Sequence, residues 1–492
     1  MKLKVKKFKW LAGRPVVILH DKTARRLNVF QNDRVCLENG HKFYAVVDIF
    51  SRLVKEDEIG LSEEVNDAFL AKEGYKLNVH AAEISEAGQI IKKKIAGYEL
   101  TAKEIEVIIE QIVKNNLTEA EIAYFVAAQK LKGMTMKESI ALTAAMVKTG
   151  MKLKFNSKNI VDKHCIGGIA GNRTTPIVVS ICAAAGLKIP KTSSRAITSA
   201  AGTADVIETI ANIELTSEEI QSIVKKTNAC LVWGGGLRLS PSDDKIIQIE
   251  RLLNLDIDSQ LLASILSKKI AAGSKKILID IPYGKSGKIK NIKDAKKLGN
   301  KFEEISEHFN VKTKVIYTDG KQPIGNGIGP VLEMLDIIKV LKLQEDAPQD
   351  LRKKSLNLAE YLLELGGIKE PKKKAIELLD NGKAYEKFKE IINAQNGKNN
   401  FDFKIRKLKL DKFTKTFNSG YSGKITSIDN KKINMACRIL GTPELASSGA
   451  FLHKHIGPVK KGEKLLTLYA SSEDKLQEAI KYLRKNPAIT FN

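Results

Sequence analysis

The stretch KTSSRAITSAAGTADVIE, residues 191–208, is dense in side chains that can donate hydrogen bonds to an anion. Six Ser or Thr residues lie between Thr192 and Thr203 inclusive, and the candidate donors among them are Ser193, Ser194, Thr198, Ser199 and Thr203. Each can donate to a phosphate oxygen without adding charge, and the guanidinium of Arg195 can donate in a bidentate manner. Apolar residues are interleaved with them, namely Ala196, Ile197, Ala200 and Ala201. Solvated loops seldom have that pattern, and buried hydroxyls need partners, so we predict a partly buried cradle for an anion.

A second candidate anion site is the stretch DKHCIGGIAGNRTTP, residues 162–176. The backbone N–H groups of Gly167 and Gly168, together with a helix that should begin near Thr174, favour a bound anion. Lys163 adds a positive charge beside them. A pair of glycines before a helix is by itself most often a tight turn, and that interpretation stays open. The spacing matches neither the P-loop pattern nor the dinucleotide pattern GxGxxG.

The stretch IDIPYGKSGKIKN, residues 279–291, places Lys285 and Lys288 on either side of a Ser-Gly turn. Lysines in such turns are usually solvated. This turn follows a predicted buried strand, however, and the carboxyl ends of parallel strands are where ligands bind in open α/β sheets. A role for Lys288 in anion binding is therefore one of two open interpretations.

The fourth stretch, RLLNLDIDSQLLASILSKK at residues 251–269, carries a candidate acid. Asp256 lies just before a predicted helix, where an Asp is most often the N-cap. Asp258 or Ser259 could cap that helix instead, which leaves Asp256 for chemistry. Ser264 and Lys268 lie one helical turn apart and so face the same way. If the strands are parallel, we expect all four stretches to meet above the sheet.

The elements that must position these residues form an α/β multidomain protein. Short alternating strands predict a β-rich N-terminal domain at 1–84. Capping boxes beginning at Thr101, Thr118 and Thr135 predict a small all-α domain at 85–158, to which 244–272 should return. Strand–helix repeats predict a large α/β domain with a mostly parallel sheet at 159–395. A polar linker at 393–403 should precede a C-terminal β-rich α+β domain at 404–492.

The composition narrows the class of protein. Lys and Arg number 82 against 57 Asp and Glu, a net charge of +25. Three interpretations of this positive charge are open: a Lys-rich surface, nucleic-acid binding, and a site for phosphorylated substrates.

The five cysteines are far apart and form no CxxC pair, which argues against disulfides and a zinc site. The start lacks an apolar signal core and the most apolar run is too short to span a bilayer, so we expect a cytoplasmic protein with no metal.

Together these segments resemble the thymidine and pyrimidine-nucleoside phosphorylase family. The resemblance rests on the run from Ser193 to Ile197, on Gly202-Thr203-Ala204-Asp205 with Glu208, on DKHCIGG, and on LLASILSKKIAAG, and it extends over essentially the whole chain. The segment GGIAGNRTTPIVVS and the β-rich N-terminal extension of about 84 residues are similar to the corresponding parts of the archaeal AMP-type members. Cys165 stands where the family usually has a Ser, and Ile249 stands where nucleoside phosphorylases have a pyrimidine-contacting Arg.

The resemblance implies a pentosyltransferase that carries out phosphorolysis of nucleoside 5′-monophosphates, namely AMP and also CMP and UMP. The products are the free base and α-D-ribose 1,5-bisphosphate. It implies that Asp256 is the general acid and that the substrate contacts Gly168, Ser194, Arg195, Ala196, Ile197, Thr198, Ser199, Thr203, Ser264 and Lys288. Lys163, His164 and Ser193 would line the phosphate side, and His164 is a second candidate for the proton donor.

Inorganic phosphate would be a co-substrate, and we expect no cofactor, no nucleic-acid or membrane partner, and a homodimer or larger homo-oligomer. Two alternatives remain. One is a thymidine or uridine phosphorylase acting on unphosphorylated nucleosides. Lys288 and the Ser194–Ser199 segment would then offer more hydrogen-bond donors than a substrate without a 5′-phosphate can use. The other is a basic nucleic-acid-binding protein on an inactive phosphorylase fold, which predicts salt-sensitive RNA binding without turnover.

Overall fold

The computed structural model describes residues 1–70, 72–83, 86–155, 157, 159–196, 199–253 and 255–492. The chain divides into two compact units. The first unit comprises Met1–Thr149 and Ser240–Ser264, and the second unit comprises Gly150–Leu239 and Ile265–Asn492. The predicted domain boundary at residues 84 and 85 lies outside the described residues.

The first unit begins with a closed barrel whose strand order is β1-β5-β2-β4-β3-β6. Its strands are β1 (Lys2–Lys7), β2 (Val16–Leu19), β3 (Arg34–Glu38), β4 (Lys42–Ile49), β5 (Glu58–Leu61) and β6 (Lys76–Ala81). Two short helices interrupt them, α1 (Asp21–Leu27) and α2 (Glu63–Phe69). In β1 the side chains of Leu3 and Val5 are buried while the lysines on either side of Leu3 are exposed, the alternation of a strand that covers a core on one face. The β-rich N-terminal part of the predicted fold class is confirmed.

A helical bundle follows the barrel. Its helices are α3 (Glu86–Ile95), α4 (Ala102–Val113), α5 (Glu119–Lys132) and α6 (Met136–Thr149). The predicted capping boxes begin α4 and α5, where Thr101 and Thr118 each accept a backbone N–H bond from the Glu three residues later. The same reciprocal bonds join Thr135 and Glu138 at the start of α6. Each box satisfies N–H groups that a helix start would otherwise leave unpaired.

The second unit contains the parallel strands. They are β7 (Val161–Cys165), β8 (Ile189–Ser193), β9 (Ala229–Trp233), β10 (Lys276–Tyr283) and β11 (Lys312–Asp319). Strand β10 pairs in parallel with β7 and with β11, and β8 pairs in parallel with β9. A parallel bridge from Ile160 to Lys188 links the two sheets just before β7 and β8. The mostly parallel sheet of the predicted fold class is confirmed.

Helices connect and flank these strands. They are α7 (Thr175–Ala184), α8 (Thr203–Glu208), α9 (Ser217–Thr227), α10 (Pro241–Leu253), α11 (Asp258–Ala271), α12 (Ile292–His308), α13 (Pro330–Leu341), α14 (Gln349–Gly366), α15 (Pro371–Asp380), α16 (Lys383–Gln395) and α17 (Phe401–Arg406). Helix α10 packs on α4, α5 and α6 of the helical bundle. Residues up to Ser264 of α11 group with the first unit and the rest with the second.

The C-terminal part of the second unit is α+β, as predicted. Its strands are β12 (Gly327–Ile328), β13 (Phe413–Asn418), β14 (Gly423–Ile428), β15 (Gly449–Leu452), β16 (Gly457–Val459), β17 (Lys464–Ala470) and β18 (Ile489–Phe491), and its helices are α18 (Asn430–Leu440) and α19 (Glu473–Lys485). The strands form two antiparallel sheets, ordered β12-β15-β17-β13 and β16-β14-β18. Strand β12 comes from the α/β part of the chain, so its backbone joins the two parts.

The predicted polar linker at 393–403 is not an extended segment. It is the end of α16, a turn and the start of α17. The side-chain oxygen of Asn393 accepts hydrogen bonds from the backbone N–H groups of Asn400 and Phe401, and Phe401 is buried. The asparagines that made the stretch polar therefore satisfy backbone groups within a packed turn.

Candidate functional site

Three of the four predicted loops follow neighbouring strands of the parallel array. The glycine loop (residues 166–174) follows β7, the Ser/Thr loop (residues 194–202) follows β8, and the lysine loop (residues 284–288) follows β10. Because β7, β8 and β10 run in the same direction, their carboxyl ends lie on one edge. The fourth stretch, residues 251–269, begins in the last turn of α10 and ends within α11, and its Asp256 and Ser264 belong to the other unit.

A buried lysine lies beneath the glycine loop. The Nζ atom of Lys163 donates to Oγ1 of Thr174 at 2.8 Å and to Oγ1 of Thr175 at 3.3 Å, at the start of α7. Burial lowers the pKa of the Lys163 ammonium. Lys163 therefore acts on the loop through its charge and through two threonine hydroxyls, whose hydrogens remain able to donate to a ligand.

The glycine loop and the lysine loop touch at Gly168. The backbone of Gly168 has φ +90°, and a Cβ atom there would lie 2.7 Å from the backbone nitrogen of Lys288. Only glycine allows both that conformation and that approach. Gly168 thus brings Lys288, which is half-buried, against the glycine loop, while Lys285 is exposed.

The Ser/Thr loop is closed on itself by Asp205. Its Oδ2 atom accepts hydrogen bonds from the backbone N–H of Ala196 at 2.8 Å and from that of Gly202 at 2.7 Å. Ala200 and Ala201 are buried, in agreement with the predicted partial burial. Two of the predicted contacts, Ile197 and Thr198, lie outside the described residues.

Arg195 is occupied by carboxylates in this structure. Its guanidinium makes a two-point ion pair with Glu208 and lies 4.9 Å above the ring of Trp233. Glu208 is also the main cause of the raised pKa of Arg195. Arg195 could donate to a phosphate, as predicted, only if its ion pair with Glu208 opened. In its present position Arg195 links the Ser/Thr loop to Glu208 of α8.

Sequence reasoning missed Arg173, which links two of the loops. It donates to Oγ1 of Thr203 at 2.9 Å, to the carbonyl oxygen of Ala201 at 2.7 Å, and to Glu333 at 2.7 Å. Glu333 is buried, and burial raises the pKa of its carboxyl against the lowering effect of Arg173. Since Thr203 accepts from Arg173, its own hydrogen is oriented away and can be donated. The sequence feature that could have identified Arg173 is its position in a glycine-rich segment that precedes a helix.

A cluster of buried amines lies at the end of β8. Lys191 and Lys269 flank the carboxylate of Asp162, at 3.6 and 2.8 Å, and both donate to the carbonyl oxygen of Thr192. Burial lowers the pKa of Lys191 well below its usual range. Two lysines facing one carboxylate leave this edge electropositive, which favours a bound anion.

Ser193 and His164 each lie two residues after a member of that cluster, Lys191 and Asp162 respectively. The Oγ atom of Ser193 is buried and has no hydrogen-bond partner within the described residues, as expected of a donor awaiting a ligand. Burial and the nearby Lys269 and Lys191 hold the pKa of His164 well below its ordinary value, so its imidazole is neutral near pH 7.

The remaining two predicted residues lie in the first unit. Asp256 is exposed, and its backbone carbonyl oxygen accepts a hydrogen bond from Nζ of Lys130 at 2.9 Å. Ser264 donates through Oγ to Oδ2 of Asp243 at 2.7 Å. Asp243 is buried and also accepts from Gln260, so it fixes the orientation of α11 at Ser264.

Within the described ranges, no cluster of three or more His, Cys, Asp or Glu side chains is placed to hold a metal ion. In the same part of the chain, no helix is long and apolar enough to cross a bilayer.

Comparison with known families defines the class. Residues 88–150 match the helical bundle domain of a glycosyl transferase family, and residues 157–385 match the α/β domain of that family. Residues 424–490 match the C-terminal domain of pyrimidine nucleoside phosphorylases. The chain belongs to this family of glycosyl transferases with phosphorylase-type C-terminal domains, and it is a pentosyltransferase.

Individual relatives narrow the comparison. The AMP phosphorylase of Thermococcus kodakarensis is 42% identical over 99% of this chain and 97% of its own length. The AMP phosphorylase of Methanocaldococcus jannaschii is 41% identical over 95% of this chain and 93% of its own. A putative thymidine phosphorylase of Legionella pneumophila is 41% identical over 91% of this chain and 86% of its own.

A solved structure shows the same fold at lower similarity. Anthranilate phosphoribosyltransferase from Thermus thermophilus has a TM-score of 0.53 and 17% identity, covering 62% of this chain and 99% of its own.

Proposed function

We propose that this protein is an AMP phosphorylase, which converts AMP and phosphate to adenine and α-D-ribose 1,5-bisphosphate, reversibly. CMP and UMP are the further substrates that we propose. The structural observation that carries the proposal is the contact of Gly168 with Lys288, because it joins two anion-binding loops above buried lysines. The choice of AMP as the substrate rests on AMP phosphorylases that are 40–42% identical to this chain over nearly its whole length.

The reaction needs two anions close to one sugar. An oxygen of phosphate attacks the anomeric carbon, the bond from that carbon to the base breaks, and the electron pair leaves with the base nitrogen. The bound geometry lowers the barrier by positioning, since no protein nucleophile is required. Ser193 and Thr203 are proposed to hold the attacking phosphate, with His164 and the charge of Lys163 beside them.

The nucleotide is proposed to contact the other donors. Those residues are Gly168, Ser194, Arg195, Ala196, Ile197, Thr198, Ser199, Thr203, Ser264 and Lys288. The ion pair of Arg195 with Glu208 supports a positioning role for the Arg195 side chain. The approach of Lys288 to Gly168 in the glycine loop supports binding of the 5′-phosphate, which a nucleoside would lack.

Asp256 is proposed to protonate the departing base. Anionic adenine is a poor leaving group, and general acid catalysis typically contributes about 10²- to 10⁴-fold. His164 ranks second, because its lowered pKa disfavours the protonated imidazole that an acid requires.

Four further features complete the proposal. Inorganic phosphate is a co-substrate and no cofactor takes part. The protein acts in the cytoplasm and assembles as a homodimer or larger homo-oligomer. The domain boundaries stay as predicted from the sequence. They are 1–84, 85–158 with the return of 244–272, 159–395 and 404–492.

The test is incubation of the protein with phosphate and, separately, AMP, CMP, UMP or thymidine, with chromatography of the free base. We expect phosphate-dependent release of adenine from AMP. Release of thymine from thymidine without release of adenine from AMP would instead establish the second candidate, a thymidine phosphorylase, which the Legionella relatives favour. Salt-sensitive RNA binding with no turnover would identify a nucleic-acid-binding protein.

A further inference from the structure

A single buried side chain of the C-terminal helix α18 contacts loops that follow three parallel strands. The Oδ1 atom of Asn430 accepts a hydrogen bond from the backbone N–H of Ala170, in the glycine loop, at 3.1 Å. Its Nδ2 atom donates to Oγ of Ser286, in the lysine loop, at 3.1 Å and to the carbonyl oxygen of Gly320 at 3.2 Å. Gly320 directly follows β11, so loops after β7, β10 and β11 share one amide.

The next turn of α18 contacts the remaining loop. Asn434 lies four residues after Asn430, on the same face of the helix. Its Oδ1 atom accepts a hydrogen bond from the backbone N–H of Ala200, in the Ser/Thr loop, at 3.0 Å. Both Ala170 and Ala200 are buried in the hydrophobic core of the C-terminal part, with Ile433 and Cys437.

The positions of the partners matter for the site. Ala170 is two residues from Gly168, Ser286 is two residues from Lys288, and Ala200 directly follows Ser199. Asn430 is fully buried and its oxygen and nitrogen both have partners. A buried amide with its bonds satisfied holds its partners firmly, because any displacement leaves polar groups unpaired.

We propose that Asn430 and Asn434 are positioning residues for phosphorolysis, which set the distance between the glycine, lysine and Ser/Thr loops. Neither residue touches the reacting atoms. Each acts through the backbone of a loop that carries proposed substrate donors, so the C-terminal part of the chain takes part in substrate binding. This inference rests on the proposed function.

The test compares Asn430→Ala, Asn430→Asp and Asn434→Ala with wild type, using initial rates at varied AMP and varied phosphate. The matched control is Cys437→Ala, a cavity variant in the same helix that makes no bond to these loops. For Asn430→Ala we expect kcat/KM for AMP to fall about tenfold or more, with a raised KM for AMP, as loop misplacement predicts. Cys437→Ala should keep both KM values while lowering the melting temperature.

Asn430→Asp keeps the acceptor for Ala170 but places a buried carboxylate oxygen against the carbonyl oxygen of Gly320, so we expect it to lose at least as much as Asn430→Ala if the proposal holds. Combining Asn430→Ala with Ser286→Ala should cost less than the sum of the two single losses, since they share a hydrogen bond. Unchanged KM values in Asn430→Ala, or a loss equal to that of Cys437→Ala, would overturn the inference. Wild type that releases no base from any substrate would instead overturn the proposed function.

Discussion

The carboxylate of Asp205 forms the turn of the Ser/Thr loop by accepting two backbone N–H bonds from positions 196 and 202. Gly202 completes that turn, because a Cβ atom there would lie 2.5 Å from the carbonyl oxygen of Ser194. The hydroxyl donors of the loop could be recognised from residue type alone. The carboxylate that shapes their backbone could not, because its partners depend on the path of the chain.

Asp256→Asn tests the proposed acid. The amide cannot protonate the base, so we expect kcat for AMP to fall by about 10²-fold or more, with a smaller change in KM. Initial rates with AMP measure both constants, and melting temperature controls for folding. Retention of more than about a tenth of the wild-type rate would exclude Asp256 from that role.

His164 makes the stability of the protein depend on pH in a predictable direction. Its pKa is lowered in the folded protein, so between its ordinary value of about 6.5 and the lower folded value the unfolded chain binds more protons. Stability is therefore lost as the pH falls below about 6.5. We expect His164→Gln to lose less melting temperature than wild type on acidification, by about 2 °C or more.

The measurement is calorimetry of both proteins without phosphate, on either side of pH 6.5. Equal losses of melting temperature in the two proteins would contradict the lowered pKa of His164.

At the scale of elements, the contact between the glycine and lysine loops offers a matched pair of variants. Gly167 and Gly168 have φ of +85° and +90°, so an alanine at either costs similar backbone strain, about 1–2 kcal/mol. A Cβ atom at Gly167 meets nothing within 4 Å, whereas one at Gly168 meets the backbone of Lys288. Gly168→Ala should therefore displace a neighbouring loop while Gly167→Ala should not.

We expect kcat/KM for AMP to fall about 10²-fold in Gly168→Ala and clearly less in Gly167→Ala. Steady-state kinetics with AMP and phosphate measure the difference. Similar losses in both variants would mean that strain, and not the displacement of Lys288, limits activity.

Periodicity and capping predicted most elements of the fold, because those signals are local. The Thr–Glu boxes marked the starts of α4, α5 and α6, and Thr174-Thr175-Pro176 marked that of α7. Contacts between distant parts of the chain carried no local signal. Asn430 reaches Ala170 across 260 residues, and a buried Asn at a helix start looks like any other capping residue in the sequence. The packed turn at 393–403 was missed for a different reason, because its asparagines, which bond to the backbone of the same turn, resemble those of a polar linker in the sequence.

At the scale of the whole molecule, the proposed phosphate ligands belong to one compact unit. Ser193, Thr203, His164 and Lys163 all lie in the second unit, whereas Asp256 and Ser264 lie in the first. A ligand stabilises the part of a protein that binds it, by about 2.7 kcal/mol at a concentration of 100 times Kd. Phosphate alone should therefore stabilise the second unit.

Calorimetry with and without phosphate checks this expectation at constant ionic strength. We expect a calorimetric transition of the second unit to move to higher temperature, and we expect Ser193→Ala to move less. Proteolytic fragments identified after partial heating assign the transition to residues. An equal shift of both units, or none in wild type, would place the phosphate ligands elsewhere.

The buried amines of Lys163, Lys191 and Lys269 have a consequence for covalent labelling. The chain is rich in lysine, since Lys and Arg together number 82, and it presents many accessible lysine amines to an acylating reagent. These three amines are nearly inaccessible to it. Burial lowers the pKa of Lys191, and a lower pKa makes an amine more reactive toward acylation, so Lys191 should react readily once the reagent reaches it. The rate at which Lys191 is acylated therefore measures how often the carboxyl ends of the strands open. The decrease of that rate in the presence of an anion, read from a peptide map, measures how strongly the bound anion opposes this opening.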